Sequence, residues 1–341
     1  MVRTGARNLI TDVAGLRVGH AEDHAVRTGT TVLYGDDALI AVADVRGGAP
    51  GSRETEMLNP VNLVGRADAI VLSGGSTHGL DAASGVMAAL RASGRGYRMT
   101  PNAPPAPCVP AAIIFDLTNG GDKDWGEDSP YRALGRAAFA NAGDTFALGN
   151  VGAGMGARAG LYKGGLGSAS AVTDEGAVVG ALVAVNSLGS PLLPGTDVFW
   201  AFPFEQNGEF GGRRLEREAS NDLDLPPDLK APLAGANTTI AIVAIDADVS
   251  AIELKRIAIM ASDGFARALR PVHTPFDGDI VFAVTTSRLA LGELRQHELM
   301  RLGSIAADCL SRAIARGVYE AKSLGEMRAY RDVFPRSAAS S

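Results

Sequence analysis

A chain of 341 residues, 46% apolar and 21% charged, has core enough for one large domain or two modest ones. Its net charge of -6, with no basic stripe interleaved with aromatics, argues against a nucleic-acid partner. The longest apolar run, residues 177–185, is too short to span a bilayer, which argues against a membrane protein.

Cys108 and Cys309 are too few for a disulfide framework and too far apart in sequence for a zinc motif. The opening Met-Val-Arg-Thr-Gly-Ala-Arg precedes no apolar stretch, so no signal peptide is expected and a soluble cytoplasmic protein is the expectation. The 42 glycines gather in a few loops, which marks special backbone geometry in place of disorder.

In chain order, residues 30–34 and 38–45 are short β-type runs broken by glycine turns. Residues 69–72 form an apolar strand ending in Ser73-Gly74-Gly75-Ser76, and Leu80, Ala83, Met87 and Leu90 then mark one face of a helix. A strand over 111–117 and a helix over 131–140 lead to the densest glycine region, 149–167. Residues 178–185 are a buried strand. The stretch 198–233, with its charge clusters and paired prolines, reads as a long surface connection. It stops at Gly235-Ala236-Asn237-Thr238-Thr239, and a β pattern resumes over 240–245. Ser250 and Glu253 form a capping box for a helix that carries Leu254, Ala258, Ala261, Phe265 and Leu269 on one face and halts at Pro271. A strand over 280–285 and a helix over 294–321 close the chain. The loose alternation predicts mixed sheets layered with helices, without the rhythm of a doubly wound fold.

Five groups carry candidate chemistry. At Asn237-Thr238, a threonine hydroxyl becomes a competent nucleophile when its own α-amine is free to act as base, which requires breaking the preceding bond. That amine titrates at about 7.7–8.0, so part of it is neutral near neutral pH. The bland alternative is a Thr-Thr pair starting a strand. In His273-Thr274-Pro275-Phe276-Asp277-Gly278-Asp279, Asp277 and Asp279 can converge on an ammonium or hydroxyl, or serve as a plain turn. His273 is more naturally structural, and the ligands of a calcium loop are missing. Asn186 ends a buried strand, where its amide either donates into an oxyanion hole or caps a turn. Gly152-x-Gly154-x-x-Ala157 matches the relaxed dinucleotide fingerprint, yet glycines continue to Gly167 where the fingerprint needs an unbroken helix. A glycine-rich wall for close substrate approach fits better. The amides of Ser73-Gly74-Gly75-Ser76 suit a carboxylate or oxyanion, or simply cap a helix.

Together, these segments resemble the self-processing aminopeptidases that include D-aminopeptidase/esterase, β-aminopeptidases and the nylon-oligomer (6-aminohexanoate-oligomer) hydrolase. The matching stretches include Ile10-Thr11-Asp12-Val13, Gly15-Leu16-Arg17-Val18-Gly19-His20, Leu72 to Ser76, Gly152-Ala153-Gly154-Met155, Lys163 to Gly167, Ala236 to Ile240 and His273 to Asp279. They fall in family order from about residue 9 to 287.

The resemblance implies an αββα four-layer sandwich similar to N-terminal-nucleophile hydrolases. It also implies one catalytic domain cut into an α chain, 1–237, and a β chain, 238–341. Thr238 would be the nucleophile and Asn186 the oxyanion donor. Asp277 and Asp279 match the nylon-oligomer hydrolase, whereas aminopeptidase relatives often carry Ser and Glu. An oxyanion-supporting tyrosine of several members falls at Phe115. The catalytic lysine's slot lies nearer Leu161, with Lys163 two residues on. The resemblance implies no metal or organic cofactor, a small peptide or amide-oligomer substrate held near Ser73–Ser76, Phe115 and Gly154, and a homotetramer of αβ units. The competing expectations are a dinucleotide-dependent oxidoreductase built on Gly152 to Ala157 and a non-catalytic member of the fold.

Overall fold

The computed structural model describes residues 2–215, 225–230 and 237–335. The main strands are β1 (Leu16–Asp23), β2 (Thr28–Gly35), β3 (Leu39–Val45), β4 (Ile70–Ser73), β5 (Ala111–Ile113), β6 (Gly165–Thr173), β7 (Val178–Asn186), β8 (Thr238–Ala247) and β9 (Ile280–Leu289). The main helices are α1 (Ala82–Ala92), α2 (Tyr131–Ala140), α3 (Ala251–Ala261) and α4 (Arg295–Tyr319). A seven-stranded sheet runs Val2–Arg3, β6, β7, β8, β9, β3, Arg66–Ala67. A five-stranded sheet runs β1, β2, β4, β5, Ser52–Arg53.

The two-residue period of the strands sorts their side chains into layers. On β7 and β8, Val179, Ala181, Val183, Val185, Ala241, Val243 and Ile245 face the helices α3 and α4. The alternate residues Leu182, Ala184, Ile240, Ile242 and Ala244 meet Leu33, Ile70, Leu72 and Ile114 of the smaller sheet's side. Strands covered on both faces read as near-continuous apolar runs, which is why 178–185 and 240–245 stand out in the sequence. Beyond the smaller sheet, Ala83, Val86 and Leu90 of α1 and Leu134 and Ala138 of α2 cover Val32 and Val71. The result is the expected αββα sandwich. No helix among the described residues is long and apolar enough to cross a membrane.

Two local devices set the helices. The hydroxyl of Ser250 accepts the Glu253 N–H at 3.4 Å while the Glu253 carboxylate accepts the Ser250 N–H at 2.8 Å, the predicted capping box. On β6 the residues are small because α4 lies against the backbone. A Cβ on Gly167 would stand 1.9 Å from the Ala313 carbonyl oxygen.

The stretch predicted as a surface connection is more deeply built in than its charges suggest. Phe199, Ala201 and Phe210 are buried in the core between the large sheet and its helices, and Val198 is buried as well. Phe199 stacks on Tyr330 with ring centroids 4.5 Å apart. Glu209 lies inside as well, taking the Arg312 Nε at 2.6 Å. Gly235 and Ala236 lie outside the described residues.

Strand direction decides where the polar residues go. Neighbours in the large sheet are antiparallel except β8 and β9, which run parallel. The antiparallel register pairs the last residue of β7, Asn186, with the first of β8, Thr238. The parallel register brings the start of β9 to the same level, with Asn237 bridged to Asp277. Three strand ends therefore converge at one edge of the sheet. A one-residue slip would break the apolar alternation of all three strands, so the packing of the core also fixes this convergence.

Candidate active site

Asn186, Asn237, Thr238, Asp277 and Asp279 are all buried at this convergence. The peptide carbonyl between Asn237 and Thr238 is its centre. Its oxygen accepts the Gly278 backbone N–H at 2.9 Å and the Thr238 hydroxyl at 2.5 Å. Two donors thus polarise one peptide bond, and one of them is the hydroxyl of the residue that follows it. Glycine at 278 is required for this approach. A Cβ there would stand 2.8 Å from the Thr238 Oγ and 2.7 Å from the Ala49 carbonyl oxygen.

The paired aspartates brace the junction without bonding to the Thr238 hydroxyl. Asp277 accepts the Thr274 N–H at 2.9 Å, the Thr274 hydroxyl at 2.6 Å and the Leu188 N–H at 3.4 Å, which ties the β9 turn to the chain leaving β7. Asp279 accepts the Thr239 N–H at 2.8 Å and the His273 N–H at 3.1 Å, with His273 Nδ1 at 2.9 Å. Burial raises the Asp277 carboxyl above its usual range, and the neighbouring Asp279 charge adds to the effect. His273 is held against Asp279 and packs edge-on to Phe265, in keeping with a structural part.

Asn186 has a defined orientation. Its Oδ1 accepts the Arg158 backbone N–H at 3.0 Å and the Lys230 ammonium at 3.0 Å, and its Nδ2 donates to the Phe115 carbonyl at 3.3 Å. Two donors on the oxygen fix which end of the amide is which. Lys163 is fully buried, and its ammonium donates to the carbonyls of Gly154 at 2.9 Å and Gly164 at 2.8 Å. Burial pulls it down to about 7, with Asp116 opposing the change. No hydrogen bond joins it to Thr238 among the described residues. Lys230 is likewise drawn down to about 7, by burial first and then by the Arg158 charge.

The other expected substrate positions divide. Phe115 lines a cavity of about 440 Å³ together with Asp116, Arg158, Asn186 and Lys230, and it brings no hydroxyl. Gly154 faces inward and serves as the carbonyl holding Lys163; a Cβ on it would stand 2.1 Å from the Leu166 nitrogen. At the Ser73–Ser76 turn, the amides expected to greet a ligand are spent on the protein itself. Gly74 N–H donates to Gly29, Gly75 N–H to the Asp116 carboxylate and Ser76 N–H to Ile114, while the Ser73 hydroxyl meets that of Thr30. The dinucleotide alternative also loses its footing. Gly152–Gly154 is a single tight turn followed by the short strand Arg158–Ala159, where the fingerprint needs a helix. Among the described residues, no group of three His, Cys, Asp or Glu side chains is placed to hold a metal ion.

Residues 8–331 match the model of peptidase family S58. The chain belongs to peptidase family S58. It is accordingly a hydrolase of C–N bonds. An uncharacterized aminopeptidase of Mycobacterium tuberculosis (strain ATCC 25618 / H37Rv) is 40% identical over 96% of this chain and 98% of its own length. A 6-aminohexanoate-oligomer endohydrolase of Kocuria sp. (strain KY2) is 31% identical over 84% of this chain and 78% of its own. Among solved structures, a Burkholderia sp. beta-aminopeptidase superposes with a TM-score of 0.69 at 24% identity, covering 96% of this chain and 91% of that one. The l-aminopeptidase d-ala-esterase/amidase of Ochrobactrum anthropi, described as a variant of the Ntn hydrolase fold, gives 0.66 at 20%, covering 95% and 89%. These last two likenesses establish the fold.

In this S58 chain, four contributors escaped the sequence reading: the Gly278 N–H, the Arg158 N–H, Lys230 and Asp116. A backbone donor leaves no trace in residue type. Lys230 is a lone lysine in a loop, and Asp116 a lone aspartate after a short strand. The adjacency of Asp116 to Phe115 was the one available signal.

Proposed function

We propose that this S58 peptidase cuts its own Asn237–Thr238 bond and then hydrolyses short peptides or amide oligomers through Thr238. The observation that carries the reading is the Asn237 carbonyl held between the Gly278 N–H and the Thr238 hydroxyl. In the first reaction, the Thr238 Oγ bonds to the Asn237 carbonyl carbon and the C–N bond breaks. The hydroxyl proton ends on the released α-amine, leaving an ester. Water then adds to the acyl carbon, giving the Asn237 carboxylate and restoring the hydroxyl.

Turnover repeats this chemistry on a substrate. The new α-amine takes the hydroxyl proton, Oγ attacks the substrate carbonyl, and the leaving amine departs with a proton. The Asn186 amide and the Gly278 N–H are the donors to the developing oxyanion, and a donor of this kind is worth about 2.7–4 kcal/mol. Asp277 and Asp279 keep the β8 and β9 ends in register around the amine. The resemblance supports Lys163 as a further participant, a buried amine drawn down to about 7 and held on the Gly154 and Gly164 carbonyls. The names of the mycobacterial and Kocuria relatives support amino-terminal peptides and aminohexanoate oligomers as substrate classes. A homotetramer of αβ units belongs to the same proposal and rests on the resemblance; a cytoplasmic location belongs to it too and rests on the sequence reading.

Intact mass and a denaturing gel test it. The wild type is expected as fragments of 237 and 104 residues (341 − 237 = 104), and Thr238→Ala as one uncut, inactive chain. A wild type that stays full length and still hydrolyses amides would overturn the reading.

A further inference from the structure

The cavity beside Asn186 has an unusual charge balance for a site expected to receive an amine-bearing substrate. Arg27, Arg158 and Lys230 line it. Neither arginine has a carboxylate within ion-pairing distance among the described residues. The Arg27 guanidinium donates to the Asn119 carbonyl at 3.0 Å, and the Arg158 Nε to the Gly160 carbonyl at 3.2 Å. Two acids share the cavity wall. Asp116 is turned to the Thr28 hydroxyl at 2.7 Å and the Gly75 N–H at 2.8 Å, and Glu326 is exposed at the rim.

Arginine presents a planar fork of donors that matches a carboxylate, and it keeps its charge at any working pH. Carbonyl partners leave both guanidinium groups without an ion pair in a partly enclosed space, where an incoming anion gains most. The position matters too. The Arg158 backbone bonds to Asn186, which stands opposite Thr238, so the guanidinium lies one arginine side chain from the oxyanion donor. A volume of about 440 Å³ is in the range of small-ligand sites.

We infer that Arg27 and Arg158 form a carboxylate subsite, so that the preferred substrates are short peptides or amide oligomers whose leaving half ends in a free carboxylate. The inference rests on the proposed function and sharpens it. It also orients the substrate: the carboxylate end lies toward Arg27 and Arg158, and the free amine lies on the other side of Thr238.

The test uses two substrates that differ only at the C-terminus, a dipeptide with a free carboxylate and the same dipeptide as its amide. Wild-type kcat/KM is expected to favour the acid at least tenfold. Arg158→Gln, which keeps the backbone N–H on Asn186, should raise KM for the acid about tenfold with kcat little changed, cut the acid-over-amide ratio of kcat/KM about tenfold, and still yield the two fragments. Arg27→Gln should act in the same direction and serves if the Arg158 variant fails to fold. Equal wild-type preference, or equal loss on both substrates, overturns the subsite. Equilibrium binding of the same pair to uncut Thr238→Ala gives a readout independent of turnover, with the acid expected to bind tighter. If neither substrate is hydrolysed and no fragments form, the proposed function fails, while the binding arm still decides the subsite.

Discussion

Two strand-end junctions in this molecule are built alike, and the proposed function gives them different parts. At the end of β4, the Gly75 N–H donates to the Asp116 carboxylate, and the Thr28 hydroxyl donates to the same carboxylate. At the start of β8, the Gly278 N–H donates to the Asn237 carbonyl, and the Thr238 hydroxyl lies beside it. Both pair a glycine amide with a buried acceptor near a hydroxyl. In the first, the acceptor is a side chain already satisfied by Thr28 and Gly75, and no bond between these groups is poised to break. In the second, the acceptor is the carbonyl of a peptide bond whose own hydroxyl sits 2.5 Å from that oxygen. The difference teaches that donor geometry alone does not mark a reactive site. Under the proposed self-cleavage, what marks it is an acceptor that can change covalently.

The strongest attack on this contrast is to crowd the second junction. Gly278→Ala keeps the N–H but places a Cβ 2.8 Å from the Thr238 Oγ, and Ala49 blocks retreat on the other side. The hydroxyl must move off the carbonyl. Appearance of the two fragments, followed by gel over time, is expected to slow at least tenfold, about 1.4 kcal/mol in the barrier. Cleavage at the wild-type rate would mean that the close approach of hydroxyl and carbonyl is incidental.

A smaller effect is expected at Lys163. Its ammonium titrates near 7 in the fold against 10.5 in the open chain, so between those values the folded state binds fewer protons than the unfolded one. Stability therefore rises with pH across that window. Lys163→Met removes this contribution, and its thermal midpoint plotted from pH 7 to 10 should climb less steeply than the wild type's. Lys230, lowered in the same way, keeps part of the slope in both proteins. An identical slope would show that Lys163 is not held neutral by burial.

The two junctions also show what a sequence can and cannot carry. Strands β7 and β8 are legible because both their faces are covered, which writes long apolar runs. Strand β6 is not, since Gly165, Gly167 and its serines and alanines are small to admit α4, and smallness reads as loop. The charged stretch after 198 misled for a related reason: Glu209 is charged because Arg312 lies opposite it inside the protein, a partner about a hundred residues away. In the candidate site, Thr238, Asn186, Asp277 and Asp279 were legible as residue types at strand ends. The donors around them are not, because two are backbone amides and Lys230 is a single residue whose partner lies on a distant strand; Asp116, an acceptor on the cavity wall, is equally isolated in sequence. The Ser73–Ser76 amides illustrate the converse. Their spacing suited a ligand, and only the fold reveals that Asp116 already fills the place.

The smallest predicted effect is the one that tests this last point. The Ser73 and Thr30 hydroxyls are buried and lie 2.8 Å apart. Ser73→Ala removes one partner, and the Thr30 hydroxyl loses that bond in a site closed to water. A net loss of about 1 kcal/mol in unfolding free energy is expected, read from denaturant midpoints at unchanged slope. Fragment formation and amide turnover should be unaffected, because the turn's amides are bound to Gly29, Asp116 and Ile114 and not to a substrate. If Ser73→Ala instead lowers turnover while stability holds, the two junctions are not opposites. The β4 turn would then belong to the substrate site, and its internal bonds to Asp116 would have to exchange for bonds to a ligand during catalysis.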